Sequence, residues 1–168
     1  MTAITCDCGG TLRPSLLHDF ELTVYVGLPV RAKEIQGLRC DKCGWETIRG
    51  PAIGAATRQV AVLVLGLPER LSPAQAKFLR GLMGHTQKEL AERMGITRKT
   101  VAEWEGKKGH ISPQNDLILR ILAYAKLLAS ESPSVVAPEL LQALTHIRTA
   151  APKARRPPLE IGRINEAA

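Results

Sequence analysis

The stretch TQKELAERMGITRKTVAEWEGKK, residues 86–108, leaves the backbone fewer choices than any other part of the chain. Thr86 and Glu89 stand three apart, the spacing at which each side chain satisfies the other's backbone amide at a helix start. Gly95 then breaks the helix, and Thr97 is placed to cap a second short one, RKTVAEWE. Leu90, Ala91, Met94, Ile96, Val101 and Trp104 fall where two short helices pack over a tight turn, with Ala91 small enough for a close crossing. Read by periodicity alone, these are two core helices of a helical domain. The flanks agree: Ser72-Pro73 caps PAQAKFLRGLM, and PQNDLILRILAYAKLLA (113–129) is the longest helix, so 72–129 reads as helical throughout.

The first fifty residues follow another rule. FELTVYV (20–26) and VRAKEIQGLRC (30–40) alternate apolar and polar residues and are joined across GLP, which predicts a β-hairpin. All four cysteines lie here. The longest apolar run, VAVLVLGL, is far shorter than the roughly 20 residues that span a bilayer, and MTAITCDCGG lacks a leader pattern, so a cytoplasmic protein is expected. In that reducing compartment four cysteines hold a metal or remain thiols. Cys40-Asp-Lys-Cys43-Gly44 has the two-residue gap of a zinc knuckle, and Cys6 and Cys8, separated by one residue, are candidates to complete a structural Zn2+ site. His18 is an alternative ligand, and a redox or free-thiol role for the cysteines stays open.

Between these parts, Ile53, Ala56, Val60, Leu63 and Val64 recur at helical spacing, although VAVLVL would also suit a strand. Residues 138–150 suit a further amphipathic helix, and 151–168, polar, basic and with three prolines, are expected to be disordered. The expected organisation is therefore mainly α with a small N-terminal β zinc-binding module (1–50), a connecting helix (51–71), a helical DNA-binding and dimerisation domain (72–150) and a disordered basic tail (151–168).

The formal charge of +7 is uneven: residues 72–110 carry 8 Lys and Arg against 4 Asp and Glu, while residues 1–50 carry 6 against 6. A local basic segment is the footprint of a nucleic-acid contact, or simply a solvated face. Here the motif decides. Its Thr-Gln, Leu-Ala and Gly-Ile-Thr elements, the β-branched Val101 and the ending Trp-Glu-Gly-Lys-Lys make 74–129 resemble the helix-turn-helix of Xre or Cro/C1-type repressors. The resemblance implies that Gln87 binds a phosphate at a helix start, that Thr97, Arg98, Lys99, Thr100 and Glu103 form the reader helix, and that Arg80 and Glu105 form an internal ion pair. Arg or Lys donates to guanine and Glu accepts from cytosine, so G·C-containing half-sites are expected. Lys107 and Lys108 would neutralise phosphates or lie in a solvated loop. The apolar surplus of 113–129 suggests a homodimer on palindromic DNA; burial inside a larger chain would also account for it.

With the cysteine module in front, residues 1–129 resemble the MqsA-like antitoxins, which join a YgiT-type zinc finger to a C-terminal helix-turn-helix. That likeness implies a zinc module that binds a toxin, often an mRNA interferase, and a dimer that represses the shared operon. The family pattern has two Cys-x-x-Cys-Gly pairs, and here the first is Cys-x-Cys-Gly. The alternative is a zinc-finger transcriptional regulator without a toxin, responsive to metal or oxidation. A redox or metalloenzyme is a third class, but no catalytic constellation is visible and four thiolates leave zinc no open position. No enzyme activity is expected.

Overall fold

The computed structural model describes residues 4–23, 25, 27–106, 109–130 and 157–164. In chain order the elements are β1 (Ile4–Thr5), β2 (Thr11–Glu21), β3 (Val30–Cys40), β4 (Glu46–Thr47), α1 (Gly50–Gly66), α2 (Pro73–Leu82), α3 (Gln87–Met94), α4 (Arg98–Glu105), α5 (Pro113–Ser130) and β5 (Leu159–Ile164). They form two units. One comprises 1–25, 29–60 and 158–168; the other comprises 26–28 and 61–157. The helical unit thus interrupts the sheet unit in sequence.

In the sheet unit, β1, β2, β3 and β4 pair antiparallel in that order, and β5 adds to β3 in parallel. The hairpin differs from the expected one. Its first strand is Thr11–Glu21, not 20–26, and it pairs with β3 from Leu12 opposite Cys40 to Glu21 opposite Arg31. Pro14, His18 and Asp19 blur the alternation of this strand. Beyond Leu12, however, β2 is a sheet edge where a proline takes no ladder donor from a neighbour. Successive side chains point to opposite faces, so Leu12, Leu38 and Cys40 line one face near the cysteines while Leu17 and Ile35 line the other, all of them buried.

The tail also departs from expectation. Residues 159–164 form β5, with Ile161 and Ile164 almost wholly buried. A polar, proline-containing segment looks disordered until a distant β3 supplies its partner. The rest of 151–168 outside 157–164, and the expected helix 138–150, lie outside the described residues.

α1 takes its helical alternative: Ala52, Ala56 and Val60 make a fully buried stripe, and Gly66 ends the helix. In the helical unit, α2 opens on a capping box between Ser72 and Gln75 with Pro73 behind the cap. Arg120, in the middle of apolar α5, is fully buried and bonds to Asp116 Oδ2 at 2.8 Å. Its guanidinium also donates to the carbonyls of Val64, Leu65, Leu67 and Glu69 at 2.7–3.2 Å, which closes the end of α1. Asp116 Oδ1 accepts from the Leu71 amide at 2.7 Å. The pair therefore pins the α1–α2 connection to α5, with its charges offset by bonds on every side.

Removing one member of such a buried pair strands the other, so Arg120→Ala should cost about 3–5 kcal/mol of unfolding free energy. Urea denaturation followed by circular dichroism would measure it, and a midpoint unchanged from the parent chain would contradict the assigned role.

Candidate nucleic-acid interface and metal centre

The helix-turn-helix is built from its caps inward. Thr86 accepts from the Glu89 amide at 3.2 Å, and Glu89 accepts from the Thr86 amide at 2.7 Å, so the capping box closes in both directions. The Thr86 amide holds the Glu89 carboxyl below its ordinary range. Gly95, left-handed at φ 67°, ends α3, and Ile96 donates back to the Ala91 carbonyl. Thr97 then starts α4 by accepting from the Thr100 amide at 3.1 Å. Leu90, Ala91, Val101 and Trp104 are buried between these helices and α2.

Burying Val101 and Trp104 leaves Arg98, Lys99, Ala102 and Glu103 exposed on the other side of α4. Lys99 and Glu103 face each other one turn apart at 4.0 Å, a loose, solvated pair that a nucleic acid can displace at little cost. Thr97 is exposed, but its side chain serves as the cap and also meets the Thr100 hydroxyl at 2.9 Å. Lys107 and Lys108 lie outside the described residues.

Arg80 and Glu105 meet as a two-pronged pair. Nε reaches Oε1 at 2.6 Å and Nη2 reaches Oε2 at 2.9 Å. Their side chains are 15% and 5% exposed, and the Glu105 hydrogen bonds raise the Arg80 pKa above its ordinary value. Arg80 Nη1 also donates to the His85 carbonyl just ahead of α3, while the Gln87 side chain donates to Glu105 Oε2 at 3.0 Å. Gln87 thus belongs to the lock that fixes the start of α3 against the end of α4. Sequence spacing did not disclose that third partner.

In the sheet unit the four thiols converge, with all sulfurs of Cys6, Cys8, Cys40 and Cys43 within 4.8 Å of one another. The contacts across the two knuckles are Cys6 to Cys43 at 3.7 Å and Cys8 to Cys40 at 3.5 Å. A tetrahedral ion holding thiolates at about 2.3 Å would set its sulfurs about 3.8 Å apart. The donor set and its spacing therefore suit one metal ion such as zinc. His18 pairs with Glu34 further along the hairpin and is not in this group.

The short first knuckle is accommodated by one repeated bond. The Gly9 amide donates to the Cys6 carbonyl at 2.8 Å, and the Gly44 amide donates to the Cys40 carbonyl at 3.1 Å. Both glycines follow the second cysteine of their knuckle and have positive φ, 78° and 73°. The two turns close alike, with one residue fewer in the first. Gly10 matters for space, because a Cβ there would sit 2.6 Å from Cys40 Sγ and 2.7 Å from Lys42 Cβ. Asp41 ties the knuckles together, accepting from the Thr11 amide at 2.9 Å and from Arg13 at 3.3 Å. These donors, the Thr11 amide first, keep its carboxyl below its ordinary range.

As bare thiols the four sulfurs compete for protons. Amides of Cys43 and Lys42 stabilise the Cys40 thiolate and bring that group down to about 6. At Cys8 the Gly10 amide pulls downward, but the Cys43 and Cys40 sulfurs outweigh it and push the thiol up to about 12. Four thiolates together need a cation.

The helix-turn-helix family matches residues 77–124, from within α2 to within α5. The match covers the helical unit's central helices and identifies them as the Xre-type DNA-binding domain of a transcriptional regulator. No curated protein matches the chain. Among the described residues, no helix is long and apolar enough to cross a membrane.

Three outcomes follow from this geometry. Gly10→Ala should weaken metal binding by about tenfold or more. Because the Cys8 thiol, pushed up to about 12, must give up its proton to bind a metal, affinity of the parent chain should also fall as pH drops from 8 to 6; competition against a chromophoric chelator reads both. Arg80→Ala should lower stability by about 2–3 kcal/mol, less than for a fully buried pair because the guanidinium keeps some water, and a melting temperature equal to the parent's would contradict it.

Proposed function

We propose that this chain is a transcriptional repressor of the antitoxin type, in which the four-cysteine unit holds one structural Zn2+ and engages a toxin while the helix-turn-helix unit binds a palindromic operator as a homodimer. The observation that carries the reading is the presence in one chain of a closed four-thiol unit and a separate DNA-binding unit, the combination found in the MqsA-like antitoxins it resembles. Zinc would act as a cross-link between two knuckles in a small unit, with Cys6, Cys8, Cys40 and Cys43 as ligands and no open position for catalysis. The protein would work in the cytoplasm, beside its operator.

On the DNA side, α4 would enter the major groove with Arg98, Lys99 and Glu103 toward base edges, and Thr97 and Thr100 would shape its start. Gln87, held by Glu105, would orient the start of α3 toward a phosphate, where first-turn amides favour an anion. Lys107 and Lys108 would add phosphate contacts and salt dependence. Dimerisation is supported by Ile118, Ile121 and Leu128, which lie exposed along one side of α5 while Leu119, Ala123 and Leu127 fill the core. Two-fold pairing would place half-sites about 34–36 Å apart.

A second reading, a regulator without a toxin that responds to metal or oxidation, is favoured by one observation: Cys43 is exposed at the edge of the four-thiol group. The readings separate experimentally. A neighbouring small open reading frame, toxic alone and rescued by co-expression, supports the antitoxin; its absence, together with operator affinity that changes when a chelator strips the metal, supports the second. For DNA recognition, Lys99→Ala and Glu103→Ala should each change discrimination at one base pair by about 1–3 kcal/mol in operator titrations. Sequence preference indifferent to both would remove α4 from the reader role.

A further inference from the structure

β5 reaches the sheet in a way unlike the other strands. β1 to β4 pair antiparallel with strands near them in sequence, whereas 28 residues separate Ser130 of α5 from Leu159, and β5 lies parallel to β3. Its register runs from Leu159 beside Val30 to Ile164 beside Ile35. The Leu159 amide donates to the Pro29 carbonyl at 2.9 Å. Ile161, beside Ala32 in the middle of the contact, and Ile164, beside Ile35 at its end, are 1% and 0% exposed, so two aliphatic side chains anchor the strand.

Charge adds selectivity: Glu160 faces Lys33 at 3.4 Å and Arg163 faces Glu34 at 3.3 Å, both pairs well solvated. From α1, Gln59 donates to the Arg163 carbonyl at 3.4 Å. Main-chain bonds for grip and spaced side chains for identity are how a sheet edge receives an added peptide. Parallel pairing is slightly weaker per residue than antiparallel pairing, and exposed ion pairs contribute little, so β5 is held less firmly than β2.

We propose that the Val30–Ile35 edge of β3 is a strand-accepting site occupied in cis by β5, and that release of β5 opens it to an extended segment of a partner protein. The partner segment would carry aliphatic residues in place of Ile161 and Ile164, an acid beside Lys33 and a base beside Glu34. The role of that partner rests on the reading of the four-cysteine unit as the protein-binding one; the opening of β5 does not. β5 then acts as a latch, and segments that match its pattern compete with it.

Hydrogen–deuterium exchange on the full chain tests the latch directly. Amides of β5 should exchange about tenfold or more faster than those of β2 paired to β3, because they open without global unfolding; equal rates would overturn the proposal. A fluorescent peptide of residues 157–168 should bind a full-length Ile161→Asp protein at least about tenfold more tightly than the parent chain, where β5 blocks the site. Equal binding to a variant that retains its metal overturns it as well. If the variant does not fold, the exchange ratio of the parent chain decides. Loss of the toxin reading would leave both measurements as they stand.

Discussion

A buried guanidinium organises the helical unit. Arg120 collects carbonyls from the last turn of α1 and from the segment after it, and its partner Asp116 takes the Leu71 amide just before α2 begins. A helix end buried without donors would leave its last carbonyls unsatisfied, and Arg120 supplies those donors. The cost of burying the charge is offset by Asp116 and by good geometry on all sides. With α1, α2 and α5 joined at this point, α3 and α4 rest on a fixed frame. Arg80 and Glu105 repeat the device nearer the surface and set the start of α3 against the end of α4. An eight-residue helix needs such a frame, because α4 is too short to hold its own orientation.

The sheet unit meets a different difficulty. It has few large aromatic residues to bury, and Leu12 and Leu38 back the thiol cluster from one side. Sheet register does much of the work of assembling the donors: Leu12 lies opposite Cys40, and Asp41 bonds across to Thr11, so the two knuckles are brought to one end of the hairpin. A metal ion there would join the beginning of the chain to the end of β3. Trp45 stays half exposed beside the second knuckle while its carbonyl accepts from the Cys40 amide. The knuckles and the β3 edge covered by β5 give this unit two regions of different character, one set by sulfur chemistry and the other by backbone pairing.

Legibility from sequence tracked the range of the forces involved. The capping box at Thr86, the left-handed Gly95 and the cap at Thr97 are local, since each satisfies amides or φ within a few residues, and the helices begin and end where those residues place them. The hairpin's first strand, β2, begins earlier in the chain than the alternation suggests because Pro14, His18 and Asp19 interrupt its pattern, and the edge position of β2 accommodates Pro14. Arg120 went unread for a related reason. An arginine among leucines and isoleucines carries no sign of direction until the carbonyls of α1 are brought to it.

The sequence by itself determined the two capped helices and the outward face of α4, because spacing on a helix places side chains on known faces, while the pairing of Arg80 with Glu105 was implied by the resemblance to Xre-type repressors. It also supplied four sulfur donors in two knuckles. Only the tertiary structure decided that Cys6-Asp-Cys8 closes with the same amide-to-carbonyl bond as Cys40–Cys43, one residue shorter, and that all four sulfurs share one site. It alone placed Gln87 on Glu105 and moved 159–164 from a polar tail into the sheet. Apart from the two knuckle bonds, those outcomes depend on partners far along the chain, from 18 residues for Gln87 and Glu105 to more than a hundred for β5 and β3. Which donor meets which acceptor over such distances is set by the register and packing of the folded chain.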